Sequence, residues 1–278
     1  MKYPKYPIAI SKRKIMIIEK FLFFVVGVFI TRLKYLILIK FTKNTLLFQI
    51  KQNFIMFKDF INLIYPDYCS GCGNLLLFSE SAICISCLID MKSYSNTKKP
   101  VILGRVEINQ AVYAYEFIHN DKLQKIIHEI KYNKNQKSAI VLGVELGKRI
   151  KEMCDLDKIE IIIPVPVSFK KIKKRGYNQS DLIAKGVSQV INKPVNSRLL
   201  IRSNNLRYQT KSNRYNRWKN VSNQYKVNKH VQINKKGILL IDDVITSGFT
   251  IESCINAFPK NKFYFIIAAL AGFNKDFL

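Results

Sequence analysis

The hydrophobic pattern of the chain changes period several times. Apolar runs occur at Ile159 to Val165, Ile238 to Ile241 and Phe263 to Ala271. Short apolar runs closed off by turn-forming residues are the signature of strands buried on both faces. Between the runs, apolar positions recur at helical spacing. Leu123, Ile126, Ile127 and Ile130 do so over Lys122 to Ile130, and Val141, Leu142, Leu146 and Ile150 over Ser138 to Met153. A further helix is expected to begin near Gln179, and Tyr113, Tyr115 and Phe117 alternate like a strand. The pattern predicts an α/β domain over residues 105–278 with a mainly parallel sheet. Its strands are expected near Ile159, Leu199, Ile238 and Phe263, alternating with helices. The polar stretch Lys92 to Gly104, with Lys98, Lys99 and Pro100, reads as a linker.

One stretch organises the rest. From Gly237 to Cys254 the chain reads G-I-L-L-I-D-D-V-I-T-S-G-F-T-I-E-S-C, which is a strand, an acidic pair, a hydroxyl-rich turn and a helix. Open parallel sheets bind ligands at the carboxyl ends of their strands. A turn there can aim backbone N–H groups at a phosphate. Thr246, Ser247 and Thr250 add hydroxyl donors, and Gly248 lets the backbone come close. Asp242 and Asp243 repel phosphate and suit sugar hydroxyls or a divalent cation beside it. A second candidate loop, Pro166 to Ser180, gathers Lys170, Lys171, Lys173, Lys174 and Arg175 after the strand ending at Val165, where these cations could neutralise a pyrophosphate.

The Asp242 stretch resembles the ribose-phosphate signature of type I phosphoribosyltransferases. That resemblance implies that the acidic pair holds the ribose hydroxyls of phosphoribosyl pyrophosphate (PRPP). It also implies that Thr246, Ser247, Gly248, Phe249 and Thr250 cradle the 5′-phosphate; Phe249 stands where those proteins usually carry a small residue. The string Arg175-Gly176-Tyr177-Asn178-Gln179 resembles the hallmark of the ComF/GntX family, as do Lys131-Tyr132 and the segment Gln209 to Asn220. Members place a four-cysteine zinc module before a type I phosphoribosyltransferase domain and are associated with DNA uptake or utilisation. The resemblance covers about Met56 to Phe273 and implies a phosphoribosyl transfer. Asp242, Asp243, Lys174 and Arg175 would be its catalytic residues, with Mg²⁺ accompanying PRPP. The competing expectation is a competence adaptor that binds single-stranded DNA or a DNA-uptake helicase without catalysis.

The expected order is present. Cys69-x-x-Cys72 and Cys84-x-x-Cys87, eleven residues apart, supply the four thiolates of a closed tetrahedral zinc site. A small structural zinc ribbon is expected over residues 56–92. Disulfides are the competing use, and nothing downstream supports export to an oxidising compartment. Cys154 and Cys254 read as small apolar residues, and His128 as a structural helix residue.

Charge sharpens the picture. The formal net charge is +27, which points to polyanionic ligands, although an AT-rich coding sequence would also enrich lysine. Fifteen Lys or Arg against Asp181 alone fall between Pro166 and Lys226, so 15 − 1 = +14 is local. Within that region, Asn204 to Trp218 mixes cations with aromatics and reads as an active-site lid or a nucleic-acid surface. Residues 1–55 carry eleven Lys or Arg and the apolar run Phe21 to Ile30, which falls short of the about 20 residues a spanning helix needs. A weak membrane anchor through residues 21–40, a signal-like segment and sequence upstream of the true start all fit. Met56 is the expected functional start, and the expected location is cytoplasmic.

Overall fold

The computed structural model describes residues 66–77, 80–95, 101–103, 105–203, 224–228, 237–259 and 262–272. The extension before Met56, including residues 21–40, and the segment Asn204 to Trp218 lie outside the described residues. No described helix is long and apolar enough to cross a membrane.

The central sheet has four strands. β3 (Gln110–Glu116), β4 (Ile161–Pro164), β7 (Gly237–Ile245) and β8 (Tyr264–Gly272) lie in the order β3-β8-β7-β4, every pair parallel. Alternate side chains of a strand face opposite sides, so each run feeds two cores. Leu239 and Ile241 face helices α2 (Lys122–Tyr132), α3 (Gln136–Met153) and α5 (Gln179–Ile191). Ile238 and Leu240 face α6 (Phe249–Ile255) and two small antiparallel pairs. These are β1 (Val101–Leu103) with β2 (Val106–Ile108), and β5 (Leu200–Arg202) with β6 (Tyr225–Val227). The sheet is thus covered on both sides, as its unbroken apolar strands require.

The strand expected near Leu199 forms as β5, and just before it Val195 bridges Ile162 of β4 in parallel, so the chain meets the sheet at its β4 edge and then leaves it. β5 pairs antiparallel with β6, because Leu200 is buried while Ile201 is exposed, and a strand with one apolar face cannot sit between two covered layers. The opposite edge of the sheet is β3, whose residues Gln110 to Tyr115 are all buried. The stretch read as a linker also carries structure. The Tyr94 N–H donates to the Ala114 carbonyl, and Val101 to Leu103 form β1.

Helices α3 and α5 cross at backbone contact. A Cβ added at Gly143 would lie 2.3 Å from the Ile183 carbonyl oxygen, and one at Gly186 would lie 2.3 Å from that of Ile140. Alanine at Gly186 must push the helices apart across a packed core, so Gly186→Ala is expected to cost about 3 kcal/mol in chemical denaturation. A midpoint unchanged from the parent chain would show that the crossing relaxes without cost.

All described residues fall in one compact unit, Tyr65–Leu278. Ile83, Cys87 and Met91, around and within α1 (Ile85–Asp90), share a core with Leu123, Ile126 and Ile127 of α2. Ser70 Oγ lies 2.8 Å from Ser138 Oγ and accepts from Asn135 Nδ2 at 2.7 Å, which ties the first cysteine turn to the start of α3.

Candidate functional site

The acidic pair lies inside β7. Pairing with β4 stops at Pro164 opposite Ile241, whereas β8 continues alongside to Ile245. Asp242 and Asp243 therefore occupy the first positions of β7 that β4 leaves uncovered, at the carboxyl edge of the sheet.

The string Arg175 to Ser180 is built around this edge. The basic stretch before it forms a short helix, α4 (Phe169–Arg175), where a loop was expected; Ser168 starts it and Gly176, at φ 88°, ends it. That φ lies in the left-handed region, which glycine adopts without strain. Tyr177 donates its hydroxyl to the Ile130 carbonyl of α2. Asn178 works twice: its Oδ1 caps α5 at Ser180 N, and its Nδ2 donates to the Val165 carbonyl at 3.1 Å. The next two residues reach the carboxylates. Gln179 Nε2 lies 3.4 Å from Asp243 Oδ2, and Ser180 Oγ lies 3.3 Å from Asp242 Oδ1.

From the other side, Lys131 at the end of α2 brings its Nζ to 2.6 Å from Asp243 Oδ2. The two carboxyls consequently behave differently. Burial, reinforced by the neighbouring Asp243 charge, pushes Asp242 well above the usual carboxylate range. Burial works in the same direction on Asp243, but the Lys131 ammonium and the Val244 N–H outweigh it and hold Asp243 below that range. The two shifts run in opposite directions, and the depressed carboxyl, Asp243, has its countercharge already in place.

A cleft of about 360 Å³ opens at this point, within the size range of small-molecule sites. Its wall includes Asp243, Thr246, Lys131, Tyr132 and His128. Asp242 is not in the wall. Thr246, Ser247 and Thr250 are exposed, Gly248 takes φ 75°, and Phe249 is 49 % exposed, so its ring does not fill the turn.

The expected cations part company. Lys174 is exposed, with Nζ 5.7 Å from the centre of the Tyr132 ring. Arg175 is buried, stacks over the same ring at 5.6 Å, and donates from Nη1 to Gln179 Oε1 at 2.8 Å. Its guanidinium thereby acts on Asp243 through Gln179. Sequence reading assigned no role to Lys131, Gln179 or Ser180. The signal was in the strings Lys131-Tyr132 and Arg175 to Ser180, but neither names its partner.

The four cysteines form a second site. The Sγ atoms of Cys69, Cys72, Cys84 and Cys87 lie within 4.8 Å of one another, and Cys72 and Cys84 approach to 3.8 Å. Backbone N–H groups of Gly71 and Cys84 each donate to Cys69 Sγ at 3.3 Å. Burial alone would raise the Cys69 thiol, yet these donors bring it down to about 6, which favours a thiolate able to bind metal. The cluster could hold a metal ion.

No family model matches the chain. Competence protein F of Haemophilus influenzae is 27 % identical over 189 residues, which span 66 % of this chain and 75 % of that protein. The DNA utilization protein YhgH of Shigella flexneri and that of Escherichia coli O157:H7 are each 25 % identical over 142 residues, 50 % of this chain and 62 % of theirs. The chain is therefore homologous, at modest identity, to Competence protein F and the DNA utilization protein YhgH of the ComF family.

Proposed function

We propose that the chain binds PRPP at the cleft beside Asp243, as a phosphoribosyltransferase-like protein serving competence and DNA uptake or utilisation. The observation that carries this reading is the placement of Asp243 and Thr246, from the acidic pair and the turn, in one cleft wall at the sheet's carboxyl edge. The names of the relatives, with their references to competence and DNA utilization, support the cellular role.

In this reading the ionised Asp243 accepts hydrogen bonds from ribose hydroxyls. Asp242 lies beside it outside the cleft wall, where its Oδ1 accepts from Ser180 Oγ and the Asp243 N–H. The Thr246 to Thr250 turn anchors the 5′-phosphate through backbone N–H groups and hydroxyls. Lys174 faces the pyrophosphate, and Arg175 is a positioning residue. Transfer breaks the bond between the anomeric carbon and pyrophosphate, which leaves with the electron pair, while the acceptor forms the new bond. No side chain need act as nucleophile, since holding the reactants and stabilising charge suffice.

The four sulfurs suit structural zinc. A Zn–S bond of about 2.3 Å in a tetrahedron implies sulfur separations of roughly 3.8 Å, and four sulfurs leave no position for water or substrate. Mg²⁺ fits the acidic pair poorly. Asp242 lies outside the cleft wall, and Asp243 Oδ1 and Oδ2 are engaged by Val244, Lys131 and Gln179. Mg²⁺ accompanying PRPP would sit on the pyrophosphate oxygens.

Isothermal titration with PRPP is expected to show binding that Asp243→Asn weakens by about tenfold or more. No detectable binding by the parent chain would refute the reading. The adaptor reading rests on a different feature: α4 exposes Lys170, Lys171, Lys173 and Lys174 beside Phe169, a surface suited to a nucleic-acid backbone. Single-stranded DNA retention that falls steeply with salt and ignores PRPP would favour it.

A further inference from the structure

Lys131 has an unusual position for a lysine. Its ammonium is drawn in from the end of α2, leaving the side chain 24 % exposed, and lies on Asp243, the one carboxylate among the described residues of the cleft wall. The pair is largely buried, so it also contributes to stability, but its place on the cleft wall gives the ammonium a second use. Asp243 Oδ2, the oxygen facing Lys131, also lies within reach of Gln179, and Oδ1 accepts from the Val244 N–H. A divalent cation at Asp243 would have to displace the ammonium, and a phosphorylated sugar in the same cleft would meet a fixed positive charge.

We propose that Lys131 is the resident cation of the phosphoribosyl pocket, neutralising Asp243 and contacting the ligand's anionic oxygens, so that the chain grips a phosphorylated pentose without holding a metal ion of its own. The proposal rests on the reading of the cleft as a phosphoribosyl site and adds to it the residue that replaces a metal there. Lysine supplies this charge as a compact point donor with three hydrogens. Its stem can follow the ligand inward when a phosphate or hydroxyl competes for it.

The test uses ribose 5-phosphate, which lacks the pyrophosphate that would bring Mg²⁺ with it. Calorimetric titrations of the full chain are run with and without added Mg²⁺, and without a chelator, which would attack the cysteine cluster. The expected result is the same affinity in both buffers within about twofold, binding at least about tenfold weaker in Lys131→Met, and near-parent binding in Lys131→Arg. Partial rescue of Lys131→Met by Mg²⁺ is expected as well. Parent binding that requires Mg²⁺ would overturn the proposal even if Lys131→Met failed to fold. So would a folded Lys131→Met that binds as tightly as the parent. If the parent chain binds ribose 5-phosphate in neither buffer, the phosphoribosyl reading itself falls. Mg²⁺-dependent binding overturns the Lys131 role and leaves that reading standing.

Discussion

Replacing Asp242 by Asn is expected to raise the melting temperature, while the same change at Asp243 lowers it. Each carboxylate is about nine-tenths buried, and they are adjacent, yet among the described residues only Asp243 has a countercharge. Asp242 is pushed well above the usual carboxylate range by burial and by Asp243, so its folded pKa lies above its unfolded value of about 3.9. Its contribution to stability is full below the unfolded value and is lost as pH rises through the folded one. Asparagine keeps an acceptor for Ser180 and removes that loss. The gain should be near zero at acid pH and reach about 1–2 kcal/mol at neutral pH, the scale of a relieved buried polar group.

Asp243 has the opposite sign. Its folded pKa is depressed, chiefly because Lys131 and the Val244 N–H overcome the effect of burial, so its contribution is present above the unfolded value and lost as pH falls through the folded one. Removing one member of a buried pair costs about 3–5 kcal/mol, and the partial exposure of Lys131 places Asp243→Asn at or below the lower end, about 2–3 kcal/mol. For a domain of this size that is a fall of roughly 5–10 °C. Calorimetric melts across pH test both signs together. Equal shifts in the two variants, or an Asp242→Asn gain that does not grow with pH, would remove the asymmetry on which the site chemistry rests.

Loss of the metal should unfold more than the cysteine module. Cys69, Cys84 and Cys87 belong to the same core as Leu123, Ile126, Leu142 and Ile266, so the ligands and the sheet's helical layer share their packing. Structural zinc contributes about 10–16 kcal/mol in small metal-folded peptides. A typical domain is stable by only about 5–15 kcal/mol. Chelation, or Cys87→Ser, is therefore expected to abolish cooperative melting followed by near-ultraviolet circular dichroism, with one zinc per chain in the untreated protein by elemental analysis. A chain that lost its metal and kept its melting transition would show that the core stands alone.

Part of this was legible in one dimension. The runs beginning at Ile159, Ile238 and Phe263 read as covered strands, and the spacing of the four cysteines pointed to one metal site. The turn after Asp243 and the helical faces of α2 and α3 were local patterns as well. β5 was misplaced because apolar content reports that a strand exists, not which neighbour it pairs with. The cations of α4 read as one group, yet Arg175 turned inward to Gln179 while Lys174 stayed outside.

The sequence by itself determined the main strands and helices, the four-cysteine set that could hold a metal and the acidic pair, because each depends on residues close together in the chain. Only the tertiary structure decided that the Asp242 carboxyl is shifted up and that of Asp243 down. That difference comes from burial and mutual repulsion within the pair, and from Lys131, which the fold brings from a distant segment to Asp243 alone. A carboxyl's protonation is set by what surrounds it through space, and the order of residues along the chain does not record those distances.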